Sequence, residues 1–582
     1  MEYIENDINF KYYLNKCFVS LFSIKLYSMR QLLRYSLFLG AILFFFLACS
    51  KEDNSSPDGT NTAQEEIDVD SIQTDPWWDD TVFYEIFVRS FYDSDGDGIG
   101  DLRGVIQKLD YLNDGDPTTT DDLGVTGIWL MPIFPSPSYH GYDVTDYRDI
   151  NPDYGTMADF RTLVSEAHAR GIKIIIDFVG NHTSDQHPWF QASANNSSKR
   201  DWYLWNSSQP DYQGPWGQQV WHERNNSYYY GIFWGGMPDL NFKNIAVSNE
   251  IKNTIRYWYE DIGVDGFRID AVKHWIEEGS QQENTTSTLS WWRQFFAFQK
   301  QLNPALMTVG EAWTSTQNIA PYSDHRLDYC FEFDLAYAII NTVNNRNASG
   351  LRNKVNEINS AYEAGQFGSF LTNHDQDRSF SQFGQNTSKA KLAVSILLSL
   401  PGVPYLYYGE EVGMIGRKPD ENIRKPMQWS ADSQAGFTTG QPWQAPNLNF
   451  AEANVADQLL EDNSLLKHYQ KWIGLRTNYP ALNTGTYQEV NSSVSAVYSF
   501  LRQHQESNTT LLLVHNTGAE RDSFPISLNS STLTEGTYNL RDLITNTIIG
   551  SINVTSNGGF SGTNEAITLM AFSSYALAIE AQ

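Results

Sequence analysis

The sequence is poor in cysteine, in positive charge and in long apolar runs, and each scarcity excludes a class of protein. Only three cysteines occur in 582 residues, and only Cys330 lies in the body of the chain. An intrachain disulfide framework is therefore excluded there. We expect the stability of the protein to come from a large core and from bound metal instead.

Positive charge is scarce. Lysine and arginine number 40 against 69 aspartates and glutamates, which gives a formal net charge of −29. Nucleic-acid phosphates require a basic surface, so this balance excludes a nucleic-acid partner. It favours a neutral or cationic ligand and a self-repelling surface, and we expect a monomer.

The apolar run at residues 36–47 is too short to span a membrane comfortably. It follows Arg30 and Arg34 and ends at "FLACS", so it is typical of a signal peptide. The ending resembles a bacterial lipoprotein box with Cys49 as the lipidated residue. Because residues 1–28 would be unusual ahead of a signal peptide, we expect translation to start at Met29. An uncleaved membrane anchor is the alternative, and both interpretations place the body of the protein outside the cytoplasm.

Residues 50–75 are polar and free of aromatic side chains, which predicts a flexible tether between the leader (1–49) and the body. The acidic run after Cys49 resembles export signals of surface lipoproteins in some Gram-negative bacteria. Together these features predict an outer-membrane lipoprotein, periplasmic or surface-exposed, that contacts the membrane through its lipid anchor only.

From Trp77 onward, short β-rich runs alternate with helix-like stretches. Strands are predicted at 82–88, 126–131, 173–179, 265–270, 306–312, 368–375 and 402–411, with a weaker one at 329–335. Strands that alternate with helices are parallel and joined by crossovers, and eight such units close into a (β/α)8 TIM barrel. The predicted fold class is therefore α/β.

Two segments depart from this alternation. Residues 183–236 are rich in Trp, Tyr, Asn and Gly, which predicts a small subdomain inserted after the third strand. From residue 484 to 582 the pattern has period two with turn residues, which predicts a C-terminal antiparallel β-sandwich. The barrel then comprises residues 76–182 and 237–483.

Several catalytic signatures are missing from the body of the chain. It has no serine or cysteine in a nucleophile elbow, no glycine-rich phosphate loop after a strand and no histidines at zinc spacing. What it has are carboxylates, imidazoles and an arginine where strands end, the face on which barrel enzymes carry their catalytic residues. The strand-end polar residues are Asp177, Asn181, His182, Arg268, Asp270, Lys273, His274, Glu311, Asn373, His374 and Asp375.

Two carboxylates with opposed roles fit glycoside hydrolysis, in which one attacks the anomeric carbon and the other protonates the leaving oxygen. Arg268 lies two residues before Asp270, on the same side of the strand, and is expected to lower the pKa of Asp270. Glu311 has no such partner in the sequence, which suits a raised pKa and the acid role.

These segments resemble the α-amylase family, glycoside hydrolase family 13. The resemblance rests on "DFVGNH" (177–182), "GFRIDAVKH" (266–274), "GEAW" (310–313), "LTNHD" (371–375), "MPDLN" (237–241) and "YHGYDVTDY" (139–147). It implies that Asp270 is the nucleophile, that Glu311 is the general acid/base and that Asp375 binds sugar hydroxyls. The reaction would be double displacement with retention. The implied substrate-binding residues are Tyr142, His182, Arg268, Lys273, His274, His374 and Arg378.

Within the family the features are mixed. Lys273 and His274 resemble true α-amylases, whereas "MPDLN" resembles neopullulanases and an intermediate group that includes lipoprotein amylases. We expect an intermediate-type α-amylase that cleaves α-1,4 bonds in starch and maltodextrins. The alternatives are a neopullulanase, an α-glucosidase, a 4-α-glucanotransferase and, more distantly, a non-catalytic starch-binding lipoprotein.

An aspartate-rich loop, "DSDGDGIGDLRG" (93–104), resembles a calcium-sensor loop. Its twelfth residue is glycine rather than the bidentate glutamate of an EF-hand, and a strand precedes it, so a sensor is excluded. We expect a structural Ca²⁺ site formed by the side chains of Asp93, Asp95, Asp97 and Asp101 and the carbonyl of Ile99. The family resemblance implies a second calcium at Asn181 and Asp239 with the carbonyl of His274.

Overall fold

The structure is a computed structural model that describes residues 72, 74–363 and 365–582. The predicted leader, Cys49 and most of the predicted tether lie outside the described residues. Within the described part of the chain, no helix combines the length and the apolar character needed to cross a membrane.

Eight short parallel strands form the barrel, as predicted. They are β1 (Phe83–Ile86), β2 (Gly127–Leu130), β3 (Lys173–Phe178), β4 (Gly266–Ile269), β5 (Met307–Gly310), β6 (Tyr329–Cys330), β7 (Gly368–Phe370) and β8 (Val403–Tyr407). Neighbouring strands pair in chain order, and β8 pairs with β1. An isolated parallel bridge between Phe331 and Gly368 joins β6 to β7, so the weakest predicted strand is also the shortest in the ring.

α-Helices connect the strands and cover the barrel. They span Val88–Phe91, Leu102–Gln107, Leu109–Leu112, Met157–Ala169, Pro188–Ala194, Ile245–Arg256, Thr286–Leu302, Thr316–Ser323, Phe333–Asn345, Ser349–Ala361, Ser379–Gln382, Thr387–Ser399, Asp420–Ile423, Val455–Leu460, Leu465–Asn478 and Pro480–Asn483. Local sequence sets their ends: Thr156 and Asp159 form a capping box at one start, and the helical stretch through Ile262 stops at Gly263, whose φ of 94° is left-handed.

Aromatic and aliphatic side chains fill the interior of the barrel. Phe83 on β1 stacks on Tyr405 of β8 with ring centroids 4.6 Å apart, and Trp129 of β2 stacks on Phe331. Alternate residues of a strand share a face, so Glu85, two residues after Phe83, also lies inside the barrel, where it is 1% exposed. The packed interior supports the strand ends that carry the polar side chains.

The inserted segment forms a three-stranded antiparallel sheet with strands Trp205–Asn206, Trp221–Arg224 and Ser227–Tyr230. Its own small core contains Val220, Trp221, Tyr230 and Ile232. Two of its tryptophans stay largely exposed: Trp216 at 59% and Trp234 at 56%.

Eight antiparallel strands follow the barrel. They are β9 (Thr486–Ser492), β10 (Val497–His504), β11 (Thr509–Asn516), β12 (Ile526–Leu528), β13 (Gly536–Asp542), β14 (Thr547–Val554), β15 (Phe560–Ser561) and β16 (Ser573–Ala581). Their order is β14-β13-β16-β11-β10-β9-β12-β15. The two end strands contact each other, and residues of both halves share one apolar core. The sheet therefore folds over on itself, as the predicted sandwich requires.

Candidate active site

Three carboxylates meet at the carboxyl ends of the barrel strands. Asp270 directly follows β4, Glu311 directly follows β5, and Asp375 lies in the loop after β7. Because neighbouring parallel strands end at one rim, side chains far apart in sequence become neighbours. The structure thus brings together the three residues that the sequence singled out as catalytic.

Arg268 connects two of these carboxylates. It is 1% exposed, and its Nη1 lies 2.8 Å from Asp270 Oδ1 and 2.8 Å from Asp177 Oδ1. Its Nη2 lies 2.8 Å from Glu311 Oε2. The expectation that Glu311 lacks an arginine partner is therefore wrong, because one guanidinium presents two nitrogens and reaches both neighbouring strand ends.

Burial dominates the protonation of this pair. It raises the pKa of Asp270 to about 6 even though Arg268 acts in the opposite direction. The expected net lowering by Arg268 is thus wrong, since loss of hydration outweighs one ion pair shared among several carboxylates. Burial also raises the pKa of Glu311, to about 7. Asp270 remains the stronger acid, so a state with Asp270 ionised and Glu311 protonated is favoured between these values.

Asp375 lies in a different electrostatic environment. Burial would raise its pKa, but His374, Arg424 and Lys418 outweigh burial and leave the pKa below its ordinary range. Arg424 Nη2 lies 2.8 Å from Asp375 Oδ1, and Arg424 Nε donates to the carbonyl of His374 at 2.9 Å. Sequence reasoning missed Arg424, which follows Asp375 by 49 residues outside any strand-end pattern.

Tyr142 and two histidines line the cleft beside Asp270. The Oη of Tyr142 lies 2.6 Å from His374 Nε2 and 3.1 Å from Asp177 Oδ2, and its ring stacks on His374. His182 Nε2 lies 3.0 Å from the carbonyl oxygen of Tyr142, and burial lowers the pKa of His182 to about 4. The imidazole of His182 is therefore neutral near pH 7.

Lys273 and His274 lie on the other side of Glu311. Lys273 Nζ is 2.8 Å from Glu283 Oε2 and 3.1 Å from the carbonyl oxygen of Trp313. His274 Nδ1 lies 2.9 Å from the carbonyl oxygen of Gln282, and burial lowers the pKa of His274 to about 4. Both predicted residues thus lie at the cleft.

Two cavities flank the three carboxylates. One, of about 370 Å³, is lined by Tyr142, His182, Asp270, Trp234, Met237, Asp420, Arg424 and others. The second, of about 450 Å³, is lined by Trp216, Ala271, Lys273, His274 and Trp313. Both also include Phe233, Glu311 and Asp375. The cleft therefore continues on both sides of Glu311 and Asp375.

Arg378 lies away from this cleft. Its Nη1 donates to the carbonyl of Tyr408 at 2.7 Å, and its Nε donates to the carbonyl of Ile423 at 2.9 Å. Among the described residues it lines neither cavity. Its contacts instead hold the chain just before Arg424, so its predicted role in binding substrate has no support in this geometry.

The aspartate loop follows the first barrel strand and packs on residues 437–442. Carboxylate oxygens of Asp93, Asp95 and Asp101 all lie within 4.8 Å of one another. Asp97 is outside this group, and its Oδ1 accepts the N–H of Ile99 at 2.8 Å. Gly98 has a φ of +95°, and a Cβ there would lie 1.8 Å from the carbonyl oxygen of Gln441, so only glycine fits. The oxygen-only donors suit a hard cation such as Ca²⁺.

The second predicted metal position is more deeply buried. Asn181 Nδ2 donates to Asp239 Oδ2 at 3.1 Å, while Asn181 Oδ1 is buried without a hydrogen-bond partner. Burial raises the pKa of Asp239 well above its ordinary value. An unpaired buried oxygen beside a buried carboxyl group is compatible with a cation, and the assignment stays a prediction.

Comparisons with known proteins agree with this geometry. Residues 85–485 match the family model "Alpha amylase, catalytic domain". The chain is 40% identical over 461 residues to Alpha-amylase 3 of Dictyoglomus thermophilum, covering 77% of this chain and 87% of that protein. It is 33% identical over 522 residues to an oligo-1,6-glucosidase of Parageobacillus thermoglucosidasius, covering 76% and 90%. The crystal structure of an α-amylase from H. orenii superposes with a TM-score of 0.74 at 41% identity, covering 86% of this chain and 99% of that one.

Proposed function

The chain belongs to the α-amylase family of glycoside hydrolases, and we propose that it hydrolyses internal α-1,4 bonds of starch and maltodextrins with retention of the anomeric configuration. The observation that carries this proposal is the two-sided cleft. A pocket that ends at the catalytic carboxylates takes only the end of a sugar chain. Here a cavity of about 370 Å³ and one of about 450 Å³ meet at Glu311 and Asp375, so a chain can extend in both directions.

The short reach between the carboxylates favours retention. Asp270 and Glu311 bind the two terminal nitrogens of one guanidinium at 2.8 Å each. Retaining glycosidases hold their carboxyl groups about 5 Å apart, whereas inverting enzymes leave room for a water at about 6.5–9.5 Å. The pair also shares a direct side-chain hydrogen bond, which supports the shorter class.

The chemistry follows from the protonation order. Ionised Asp270 attacks the anomeric carbon while Glu311 gives its proton to the leaving glycosidic oxygen, which forms a covalent glycosyl–enzyme ester. Glu311, now ionised, takes a proton from water, and the resulting hydroxide attacks the anomeric carbon and releases Asp270. Asp375, held anionic by Arg424 and His374, accepts hydrogen bonds from sugar hydroxyl groups.

Aromatic side chains of the larger cavity suit the leaving part of the substrate. Trp216 stacks on Phe233 with ring centroids 5.9 Å apart, and Trp313 stacks on Phe333 at 4.6 Å. Trp313 is still 39% exposed. Each tryptophan thus keeps an open surface next to Lys273 and His274, and such surfaces stack on sugar rings.

A product profile on amylose, pullulan, isomaltose and a maltoheptaoside blocked at its non-reducing end tests the proposal. We expect rapid loss of amylose viscosity, cleavage of the blocked substrate and α-anomeric products by NMR. Failure to cleave the blocked substrate would show exo action. Products longer than maltoheptaose would show a glucanotransferase, and no products from a folded protein would show a binding protein.

The Asp270→Asn variant is the matched control, since it keeps the shape of the cleft. We expect it to lose nearly all turnover while it still binds starch. Substantial residual turnover would refute the assignment of the nucleophile.

We also propose that the aspartate loop binds Ca²⁺ as a structural ion, supported by the clustered oxygens of Asp93, Asp95 and Asp101. The ion would join the loop after β1 to residues 437–442 and so brace the rim of the cleft. The positions Asp97, Ile99, Asn181 and Asp239 remain part of the proposed metal ligands.

The cellular location is a further proposal, a lipoprotein of the Gram-negative outer membrane with Cys49 acylated. It is supported by the "FLACS" sequence and the apolar run before it. Radiolabelled palmitate should enter the wild-type protein and not the Cys49→Ser variant, which should also leave the membrane fraction. Equal labelling of both proteins would contradict the proposal.

A further inference from the structure

We infer that Glu85, inside the barrel, is a positioning residue that holds His374 as an imidazolium and thereby fixes Asp375 for the sugar. This inference rests on the proposed function for its role in catalysis. The motif comparison did not single out Glu85, which lies on β1 and far from the catalytic carboxylates in sequence. The arrangement of donors and acceptors around His374 carries the argument.

Each ring nitrogen of His374 faces an acceptor. Nδ1 lies 2.5 Å from Glu85 Oε1. Nε2 lies 2.6 Å from the Oη of Tyr142 and 3.3 Å from Asp375 Oδ2. Glu85 is 1% and His374 0% exposed, so water does not compete for the contact between them.

Counting protons limits the protonation states that the ring can adopt. Tyr142 has one hydroxyl proton, and its Oη lies 3.1 Å from the carboxylate Asp177 Oδ2, which only accepts. If Tyr142 donates to Asp177, then its oxygen accepts from His374, and Nε2 must carry a proton. Nδ1 carries one as well where the Glu85 carboxyl oxygen accepts across the 2.5 Å contact. With Glu85 as the acceptor, the imidazolium satisfies all of these contacts.

The charged groups around the ring agree with this count. Glu85 from β1 and Asp375 from its own loop face His374 directly, and Asp177 from β3 faces it through Tyr142. The nearest cations lie one contact further away. Arg424 binds the backbone carbonyl of His374 and the far oxygen of Asp375, and Arg268 lies 5.8 Å from the ring of Tyr142.

The electrostatics support the same state. Burial would lower the pKa of His374, but Asp375 and Glu85 outweigh burial and raise it to about 9. The ring is therefore charged at any pH at which Glu311, with a pKa of about 7, is protonated.

The consequence for the reaction lies at Asp375. A neutral His374 bound to Glu85 through Nδ1–H would turn a lone pair at Nε2 toward Tyr142 and Asp375. Repulsion would then rotate Asp375 or force it to take up a proton, and either change weakens its hold on sugar hydroxyls. Glu85 prevents this without touching the substrate.

Nuclear magnetic resonance of the ¹⁵N-histidine-labelled full chain tests the charge directly. The sequence has 11 histidines, and His374→Asn identifies the signal by its loss. We expect both ring nitrogens of His374 to be protonated at pH 7.5 in the wild type. In Glu85→Gln, which keeps an accepting oxygen but loses the charge, we expect the pKa of His374 to fall toward its ordinary value near 6.5. A neutral ring in the wild type would overturn the inference, whatever the substrate is.

The pH dependence of kcat/KM tests the consequence. Glu85→Gln should keep most of its activity at pH 6. Between pH 6 and pH 8 its kcat/KM should fall about tenfold more than that of the wild type, because His374 now deprotonates in addition to Glu311. The alkaline limb of log kcat/KM should steepen from a slope of one to two. An unchanged limb in a folded variant would contradict the inference.

Glu332→Gln is the matched control. Glu332 is a fully buried glutamate of the same barrel, and its carboxylate accepts from Thr316 Oγ1 at 2.8 Å and from the Oη of Tyr362 at 2.9 Å. Its substitution should leave the slope of the limb and the His374 signal unchanged. If Glu85→Gln does not fold, a neutral ring in wild-type His374 would still overturn the inference. Failure to cleave α-glucans would refute the proposed function alone.

Discussion

Among the five buried arginines of the described residues, two pairs have partners that differ in kind. At the catalytic rim, Arg268 and Arg424 bind carboxylates at 2.8 Å. Between the barrel and the C-terminal sheet, Arg476 donates to the carbonyl oxygen of Leu400 at 2.6 Å and Arg502 to that of Ser399 at 3.0 Å. Within the described residues, the hydrogen bonds of this second pair go to backbone carbonyl oxygens.

The same burial has opposite results in the two regions. It would lower the pKa of Arg268, but Asp177 and Glu311 outweigh it and raise the pKa well above its ordinary value. At Arg476 burial prevails and lowers the pKa to about 9. A buried guanidinium thus sets the charge of a site only where carboxylates surround it. Elsewhere its hydrogen bonds connect chain segments. Arg476 and Arg502 connect the end of helix Thr387–Ser399 to the start of β8 and to β10.

Arg268→Gln tests the carboxylate-bound arginines and should reduce activity more than the other arginine substitutions. Arg268→Gln removes the cation shared by Asp177, Asp270 and Glu311. The pKa of Asp270 should then rise, so that this proposed nucleophile is protonated at neutral pH. We expect kcat/KM at pH 7 to fall about 10³-fold, the scale of losing a preorganised charge in a dry site. A loss below tenfold in a folded variant would show that Arg268 does not set the charge.

Arg502→Met tests the carbonyl-bound arginines and serves as the matched control for activity. It is as buried as Arg268, but its loss leaves the carbonyls of Ser399, Asn483 and Gly485 without donors. We expect the free energy of unfolding to fall by about 2–4 kcal/mol, with kcat/KM per folded molecule unchanged. Urea denaturation followed by fluorescence measures the change. Arg541→Met, at a half-buried arginine of the same sheet that pairs with Glu580 at 2.9 Å, should barely move the midpoint.

Glu311→Gln should change the free energy of unfolding by a smaller amount and in the opposite direction. Burial raises the pKa of Glu311 to about 7, so an ionised Glu311 destabilises the folded state. Glu311→Gln should therefore stabilise the protein by about 1–3 kcal/mol at pH 8. The gain should shrink as pH falls and vanish below about pH 4, where the unfolded glutamate is protonated as well. Thermal denaturation at both pH values measures it, and destabilisation at pH 8 would mean that the Arg268 contact outweighs burial.

These cases also separate what the sequence can predict from what it cannot. The strands were predictable because apolar runs and turn residues act locally. Asp270, Glu311 and Asp375 were predictable because a parallel barrel brings its strand ends to one rim. Even the shortest strand, β6, lay where the alternation required it.

The partners of those residues were not predictable in the same way. Arg424 reaches Asp375 from a loop 49 residues further along the chain, and Glu85 reaches His374 across the inside of the barrel. Neither contact leaves a periodic signal. The direction of the pKa shift at Asp270 was not predictable either, because burial depends on the whole fold and not on the neighbouring residue Arg268.

The aspartate loop gives the last and smallest test, since it holds clustered carboxylates that bind backbone N–H and hydroxyl groups. Asp93 accepts from Gly98 N at 2.8 Å and from the hydroxyl of Thr438, and Asp101 accepts from Ser94 N at 2.7 Å. If Ca²⁺ balances the charge of these carboxylates as Arg268 does at the rim, chelation should lower the melting temperature by about 3–6 °C.

Activity at 25 °C should change little on chelation, because the proposed ion would brace the rim without touching Asp270, Glu311 or Asp375. Asp95→Asn preserves the turn but removes one charge, so it should lower the melting temperature and shrink the shift caused by EDTA. Asp116→Asn, in another aspartate-rich loop outside the cluster, should retain the full shift. If EDTA leaves the melting temperature unchanged, N–H and hydroxyl donors alone stabilise these carboxylates. The loop would then differ from the rim in needing no cation at all.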